Sequence, residues 1–297
     1  MLKLHYMIDK SNIKRSFSKS IDTYNDNALV QKLIVKHLLN LLSVHIDTNA
    51  SANTGTNVGA DIDTDTSTNV GAHIDTDTSV RSLKTLEIGC GTGLLTSELS
   101  TIATISPLYI NDLVEDLCSK TAATHHIPYE HILAGDIETI PLPTGFDLII
   151  SSSTFQWLSS PEALFARLGN SLVEGGMLAF SSFSCDNLKE IKSITGKGLQ
   201  YQSHQETLDT LSHSFEVLHY EENTHTLHFQ HPIDVLKHLK STGVNALPST
   251  NRWTAQKIAT FTEKYEEYYV PTKGYTLTYH PIYILAVRAR MRRARMS

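Results

Sequence analysis

Cysteine is scarce in this chain. Cys90, Cys118 and Cys185 are the only three in 297 residues, far apart and with no C-x-x-C pair. Neither a disulfide framework nor a zinc site is expected from them, and nothing else calls for a metal. Long apolar runs are also missing. No stretch approaches the roughly 18 residues that a membrane span requires. The opening segment "MLKLHYMIDKSNIKRSF" has no continuous apolar stretch, so no signal peptide is expected and the cytoplasm is the default location. Positive charge is not in surplus: 25 Lys and Arg stand against 31 Asp and Glu, a net charge of −6. That balance gives no global attraction to nucleic acid. What remains is an ordinary globular composition, 40% apolar and 19% charged. The length suffices for one large core, or for one core with a small accessory unit.

The chain falls into segments. Residues 1–44 read as an N-terminal helical segment. Within it, "DNALVQKLIVKHLLNLLSV" (26–44) spaces Leu29, Leu33, Val35, Leu38, Leu39 and Leu42 along one helix face. Residues 45–80 are a low-complexity insertion. "TNVGADIDTDTS" (56–67) is followed at once by "TNVGAHIDTDTS" (68–79), and the two differ only at Asp61 and His73. Its Asp-x-Asp pairs carry oxygens suited to a cation, but an ion cage also needs fixed geometry and a closing ligand. With so few apolar groups the segment is expected to be a disordered surface loop.

From residue 81 to 289 strand-like and helix-like pieces alternate. "LKTLEI", "SPLYIND", "EHILAGD", "GFDLIISSS" and "GGMLAFSSFS" read as strands; "GLLTSELSTIA", "LVEDLCSKTAATH" and "PEALFARLGNSL" read as helices between them. This predicts an α/β fold with a doubly wound, mostly parallel sheet. Beyond it, "FEVLHYEENTHTLHF" (215–229) alternates like exposed β structure, and "YTLTYHPIYILAVRA" (275–289) reads as one final strand. Two helical stretches in 231–270 are expected to form a small cover inserted before it. Residues 290–297 are a basic tail.

Ligands of open α/β sheets sit outside the carboxyl ends of the strands. The first such turn here is "LEIGCGTGLLT", with Gly89, Gly91 and Gly93 at alternate positions. A phosphate-binding P-loop needs Gly-Lys-Ser/Thr, which is absent. A dinucleotide fingerprint would need a third glycine at position 94, which is leucine. Glu87, two residues before the first glycine, suits a cationic ligand and repels pyrophosphate. The second strand ends at Asp112, placed to accept hydrogen bonds from ribose hydroxyls. The third ends at Asp136, placed near an adenine amino group, with Ile137 against the ring. The fourth ends in Ser152, Ser153, Phe155, Gln156 and Trp157. Any one of these aspartates is equally a helix cap; acidic or small polar groups at three successive strand ends are not explained that way.

These residues resemble the class I S-adenosylmethionine-dependent methyltransferases. The resemblance lies in LEIGCGTG, in Asp112, in the turn from Gly135 to Pro141 and in the Phe-Asp-Leu strand. It implies a Rossmann-like sheet with an antiparallel last strand and S-adenosylmethionine bound by Phe17, Glu87, Gly89, Gly91, Gly93, Asp112, Leu113, Asp136, Ile137, Ser152 and Ser153. A narrower resemblance is to the malonyl-acyl-carrier-protein O-methyltransferases of biotin synthesis. It is carried by "KSNIKRSFSKSIDTYN", "GDIETIPLPTGFDLIISSSTFQWL", "LVEGGMLAFSSFSCDNLKEI", "LKSTGVNAL" and "YTLTYHPIYILAV". It implies transfer of methyl to a malonyl carboxylate carried by acyl-carrier protein or coenzyme A; the Phe-Gln-Trp-Leu region equally resembles methyltransferase-like assembly factors for a respiratory complex, and a methyltransferase for another small molecule stays open. Tyr24, Gln156 and His280 are then the candidates for gripping the acceptor. Tyr279 is a further one, and His280 serves equally as a structural histidine. Lys10, Lys14, Arg15, Lys19 and the arginines at 288, 290, 292, 293 and 295 are candidates for attracting an acidic carrier. A monomer without nucleic-acid or membrane partners is expected. The repeat insertion departs from the family pattern.

Overall fold

The computed structural model describes residues 9–53, 81–244 and 253–289. The repeat units at 56–79 and the arginines at 290, 292, 293 and 295 lie outside the described residues.

Seven strands form the main sheet: β1 (Leu83–Ile88), β2 (Ile105–Asp112), β3 (Ile132–Ala134), β4 (Phe146–Ser152), β5 (Leu172–Phe183), β6 (Phe215–Glu222) and β10 (Pro281–Arg288). Their order is β3-β2-β1-β4-β5-β10-β6. Strands β1 to β5 pair in parallel, and β10 runs antiparallel to both β5 and β6. The order reverses beside β1, between β2 and β4, which is where a doubly wound sheet leaves a crevice at its carboxyl ends.

Side-chain alternation explains why both faces are covered. On β5, Met177 and Ala179 enter one apolar cluster, whereas Leu178 and Phe180 enter the other. On β10, Tyr283 and Leu285 face the first, and Ile282, Ile284 and Ala286 the second. The first cluster is closed by α2 (Leu29–Asn53), through Val30, Ile34, Val35, Leu38 and Leu42, and by α3 (Leu94–Leu99). The second is closed by α5 (Pro161–Ser171), through Leu164, Phe165 and Leu168, and by α7 (His204–Ser212), through Leu211. Helix α4 (Glu115–His125) packs beside β2 and β3, and α6 (Lys189–Thr195) follows β5. Helix α2 reaches Asn53, so the helix extends nine residues into the segment expected to be disordered.

The cover differs from the helical one expected. It holds α8 (Pro232–Ser241) and α9 (Ala255–Tyr265), but also a three-stranded sheet in the order β7 (His225–Phe229), β9 (Gly274–Tyr279), β8 (Tyr269–Val270). The segment 215–229 therefore splits between two sheets at Asn223 and Thr224. The single strand expected at 275–289 likewise breaks at His280 into β9 and β10. Helix α1 (Lys10–Asn27) packs against α8 and lies over the carboxyl ends of the main sheet.

Candidate functional site

The turn between β1 and α3 is spent on itself. The backbone N–H groups of Gly89 and Cys90 both donate to the Asn111 carbonyl at 2.8 Å, and that of Gly93 donates to Cys90 at 2.9 Å. The Gly91 N–H donates to Asp112 Oδ2 at 2.9 Å. No cradle of free amides is left at these positions for a pyrophosphate, in accord with the missing P-loop and dinucleotide patterns. Gly89 has φ +76°, and a Cβ there would collide with the Thr154 side chain. The glycine thus lets β1 and the end of β4 approach each other at the floor of a cleft.

That cleft is open to solvent and has a volume of about 120 Å³. Phe17, Tyr24, Gly89, Gly91, Asp112, Leu113, Asp136, Ile137, Ser152 and Ser153, all singled out from the sequence, line it together. Five segments far apart in the chain meet there: α1 as a roof, the glycine turn, and the ends of β2, β3 and β4.

Asp112 accepts the Gly91 N–H on one oxygen and the Val114 N–H on the other, at 2.9 and 2.8 Å. Burial pushes its carboxyl upward, and the two backbone donors oppose that shift. Each oxygen keeps a second lone pair for a ligand hydroxyl. Asp136 receives Lys10 Nζ at 2.7 and 2.6 Å on its two oxygens. Lys10 also pairs with Glu138, which accepts the backbone N–H groups of Ser159 and Ser160 ahead of α5. Burial opposes the charge of Lys10, but the two carboxylates outweigh it and its pKa lies above the usual value. Lys10 was expected near the entrance, attracting a carrier. It instead lines the cleft, the one cation to do so among the described residues.

Tyr24 is half-buried beside Asp112, and loss of solvent pushes its hydroxyl up to about 12. It is a neutral phenol at pH 7, a hydrogen-bond donor rather than a base. Phe17 meets Trp157 edge to face at 5.9 Å between ring centres. Ser153 Oγ and Trp157 Nε1, at the end of β4, are buried polar atoms without a partner among the described residues. Orphaned groups in a cleft wall fit a bound polar ligand. Two carboxylates, a neutral phenol, aromatic cover and a glycine floor fit an adenosine carrying a cationic side chain.

Other expected residues lie elsewhere. Glu87 does not line the cleft. It is buried beneath the glycine turn, where Thr96 Oγ1 donates to it at 2.7 Å. Burial, with Asp112 nearby, pushes its carboxyl up to about 8 against the lowering effect of the Thr96 bond. Gly93 also stays outside the lining; with φ +87° it precedes α3, and a Cβ would press on His125 and Thr121 of α4. Gln156 opens on a second cavity. His280 reaches neither: its Nε2 sits 3.0 Å from Glu222, and its backbone N–H is held by Asn187. Tyr279 is fully buried, its hydroxyl 2.9 Å from His238. Arg288 is bound to the Leu172 carbonyl rather than free for a carrier. Ser20, Thr154 and Leu158 line the cleft without having been singled out for it. Their only sequence signal is proximity to named neighbours.

Comparison with known proteins agrees with this geometry. Residues 86–180 match the family described as "Methyltransferase domain". The chain is 36% identical over 272 residues to a malonyl-(acyl-carrier protein) O-methyltransferase of Calditerrivibrio nitroreducens, covering 92% of this chain and 94% of the relative. It is 33% identical to one of the same name from Bacteroides thetaiotaomicron, covering 96% and 100%. A crystal structure of a Bacillus halodurans protein described as a methyltransferase superposes with a TM-score of 0.51 at 15% identity, over 69% of this chain and 92% of that one. That likeness shows the fold, a class I methyltransferase sheet. With so much shared length at such identity, the chain belongs to the family of malonyl-(acyl-carrier protein) O-methyltransferases.

Proposed function

We propose that the protein transfers a methyl group from S-adenosylmethionine to the free carboxylate of a malonyl group on acyl-carrier protein. The observation that carries this is the single cleft, which joins Asp112 and Asp136 at the ends of β2 and β3 to Phe17 and Tyr24 of α1. Bound there, S-adenosylmethionine supplies an electrophilic methyl group on a sulfonium.

Asp112 suits the ribose hydroxyls, and Ile137 suits a flat face of the adenine. Asp136 suits the adenine amino group once Lys10 gives way. The acceptor carboxylate, with a pKa near 4, is already ionised at pH 7. No base is needed, and Tyr24, held neutral, offers none. Its hydroxyl is suited to orient the acceptor by donating a hydrogen bond. The carboxylate oxygen takes the methyl group, and the electron pair of the broken bond stays on sulfur. A cationic centre and an anion disappear together, so a water-poor cleft under α1 favours the step. Alignment of the two partners is worth on the order of 7–11 kcal/mol. The product is a methyl ester without the malonyl charge, fit for elongation as a fatty acyl primer in biotin synthesis.

Purified protein incubated with methyl-labelled S-adenosylmethionine should label malonyl-acyl-carrier protein, and the gene should restore growth of a biotin-requiring strain lacking this activity. Absence of label on both malonyl-acyl-carrier protein and malonyl-coenzyme A would defeat the assignment.

A further inference from the structure

A second cavity, of about 570 Å³, lies on the other side of the turn that ends β4. The turn divides its residues between the two spaces: Ser153, Thr154 and Trp157 line the cofactor cleft, Phe155 and Gln156 line the second cavity, and Leu158 lines both. Gln156 bridges them chemically. Its Nε2 donates to the Ser153 carbonyl at 2.6 Å, while its Oε1 is buried with no partner among the described residues. The side-chain amide is thus fixed at one end and keeps an unused, buried acceptor at the other.

The chemistry of the wall selects its occupant. Phe180 and Phe183 supply apolar surface; Ser182, Gln200 and Gln202 supply neutral polar groups. Among the described residues no lysine or arginine lines the cavity, and its one carboxylate, Glu206, is engaged in the cap of α7. A phosphate or free acid finds no countercharge here. A neutral chain with amide N–H donors and apolar carbons does.

We infer that this cavity holds the pantetheine arm of the acceptor, with the Gln156 Oε1 accepting from the arm's amide nearest the thioester. The arm is uncharged between thioester and phosphate, carries two secondary amides and bears a gem-dimethyl group. Entry through the second cavity brings the malonyl end to the β4 turn, the shared wall of both spaces. This inference rests on the proposed acceptor being a malonyl thioester.

The test compares malonyl-pantetheine with the malonyl thioester of ethanethiol, which has no amide. In the Gln156→Leu protein the ratio of kcat/KM for the two thioesters should fall about tenfold, the loss of one neutral hydrogen bond. Gln200→Trp, at the exposed rim, should lower the same ratio by raising KM for malonyl-pantetheine. An unchanged ratio in both proteins overturns the inference. If the wild-type protein methylates neither thioester, binding decides this inference, while the functional reading fails only if malonyl-acyl-carrier protein and malonyl-coenzyme A are also unlabelled. Pantetheine added to the protein saturated with S-adenosylhomocysteine should then show saturable binding by NMR saturation transfer, weakened by Gln200→Trp. No binding to the wild-type protein overturns it.

Discussion

Asp112 is held from both sides, so its charge and its shape cannot be separated. An asparagine has one acceptor oxygen, and its NH₂ would face either the Gly91 or the Val114 N–H. A buried donor left facing a donor costs about 1–3 kcal/mol. Asp112→Asn is therefore expected to weaken S-adenosylhomocysteine binding by roughly 10–100-fold, read by titration calorimetry; an affinity within twofold of wild type would show that the cleft does not use this carboxylate. Glu87 makes a prediction about pH. Its folded pKa of about 8 lies above the ordinary carboxylate value. The native state then holds a proton that the unfolded chain releases. Its contribution is most favourable below about pH 4.5 and is lost as pH rises to about 8. Glu87→Gln removes that titration. The variant should gain Tm relative to wild type between pH 5 and pH 8, with the gap levelling off above; a gap independent of pH would refute the assignment.

At the scale of elements, the roof of the cleft is braced from behind. Gly243, at the end of α8, has φ +65°, and a Cβ there would lie 2.7 Å from Ser20 Oγ and 3.1 Å from Phe17. Thr23 adds a hydrogen bond from α1 to the Ser241 carbonyl. Gly243→Ala must therefore strain the turn by about 1–2 kcal/mol or push α1 away. The expected result is roughly tenfold weaker S-adenosylhomocysteine binding together with faster amide exchange across α1. Unchanged exchange and affinity would mean that α8 does not hold the roof. This bracing also marks where sequence reading stops. The βα order, the glycine turn and the acids at Asp112 and Asp136 are local patterns, and each was legible at its own strand end. The split of 275–289 at His280 was not, because apolar alternation runs straight through two strands that belong to different sheets. Nor was Lys10 in the cleft: a lysine in a polar stretch gives no local sign that it will meet Asp136, 126 residues away.

The whole molecule carries six excess negative charges, yet its proposed acceptor rides on an acidic carrier protein. Global electrostatics then opposes encounter, and any attraction has to be local. Lys10 contributes nothing outward, since its ammonium is spent on Asp136 and Glu138. Lys14 and Lys19 remain exposed on the same helix that roofs the cleft. Surface charges of this kind act mainly on the rate of encounter and are screened over about 10 Å at 0.1 M salt. Reversing both, Lys14→Glu with Lys19→Glu, should therefore lower kcat/KM for malonyl-acyl-carrier protein about tenfold at low ionic strength. The loss should shrink as salt is raised toward 0.5 M. Malonyl-pantetheine, which carries no protein surface, should be methylated by the double variant as well as by wild type. A loss of equal size on both acceptors would locate the defect in α1 itself, and no loss on either would place carrier recognition on another face.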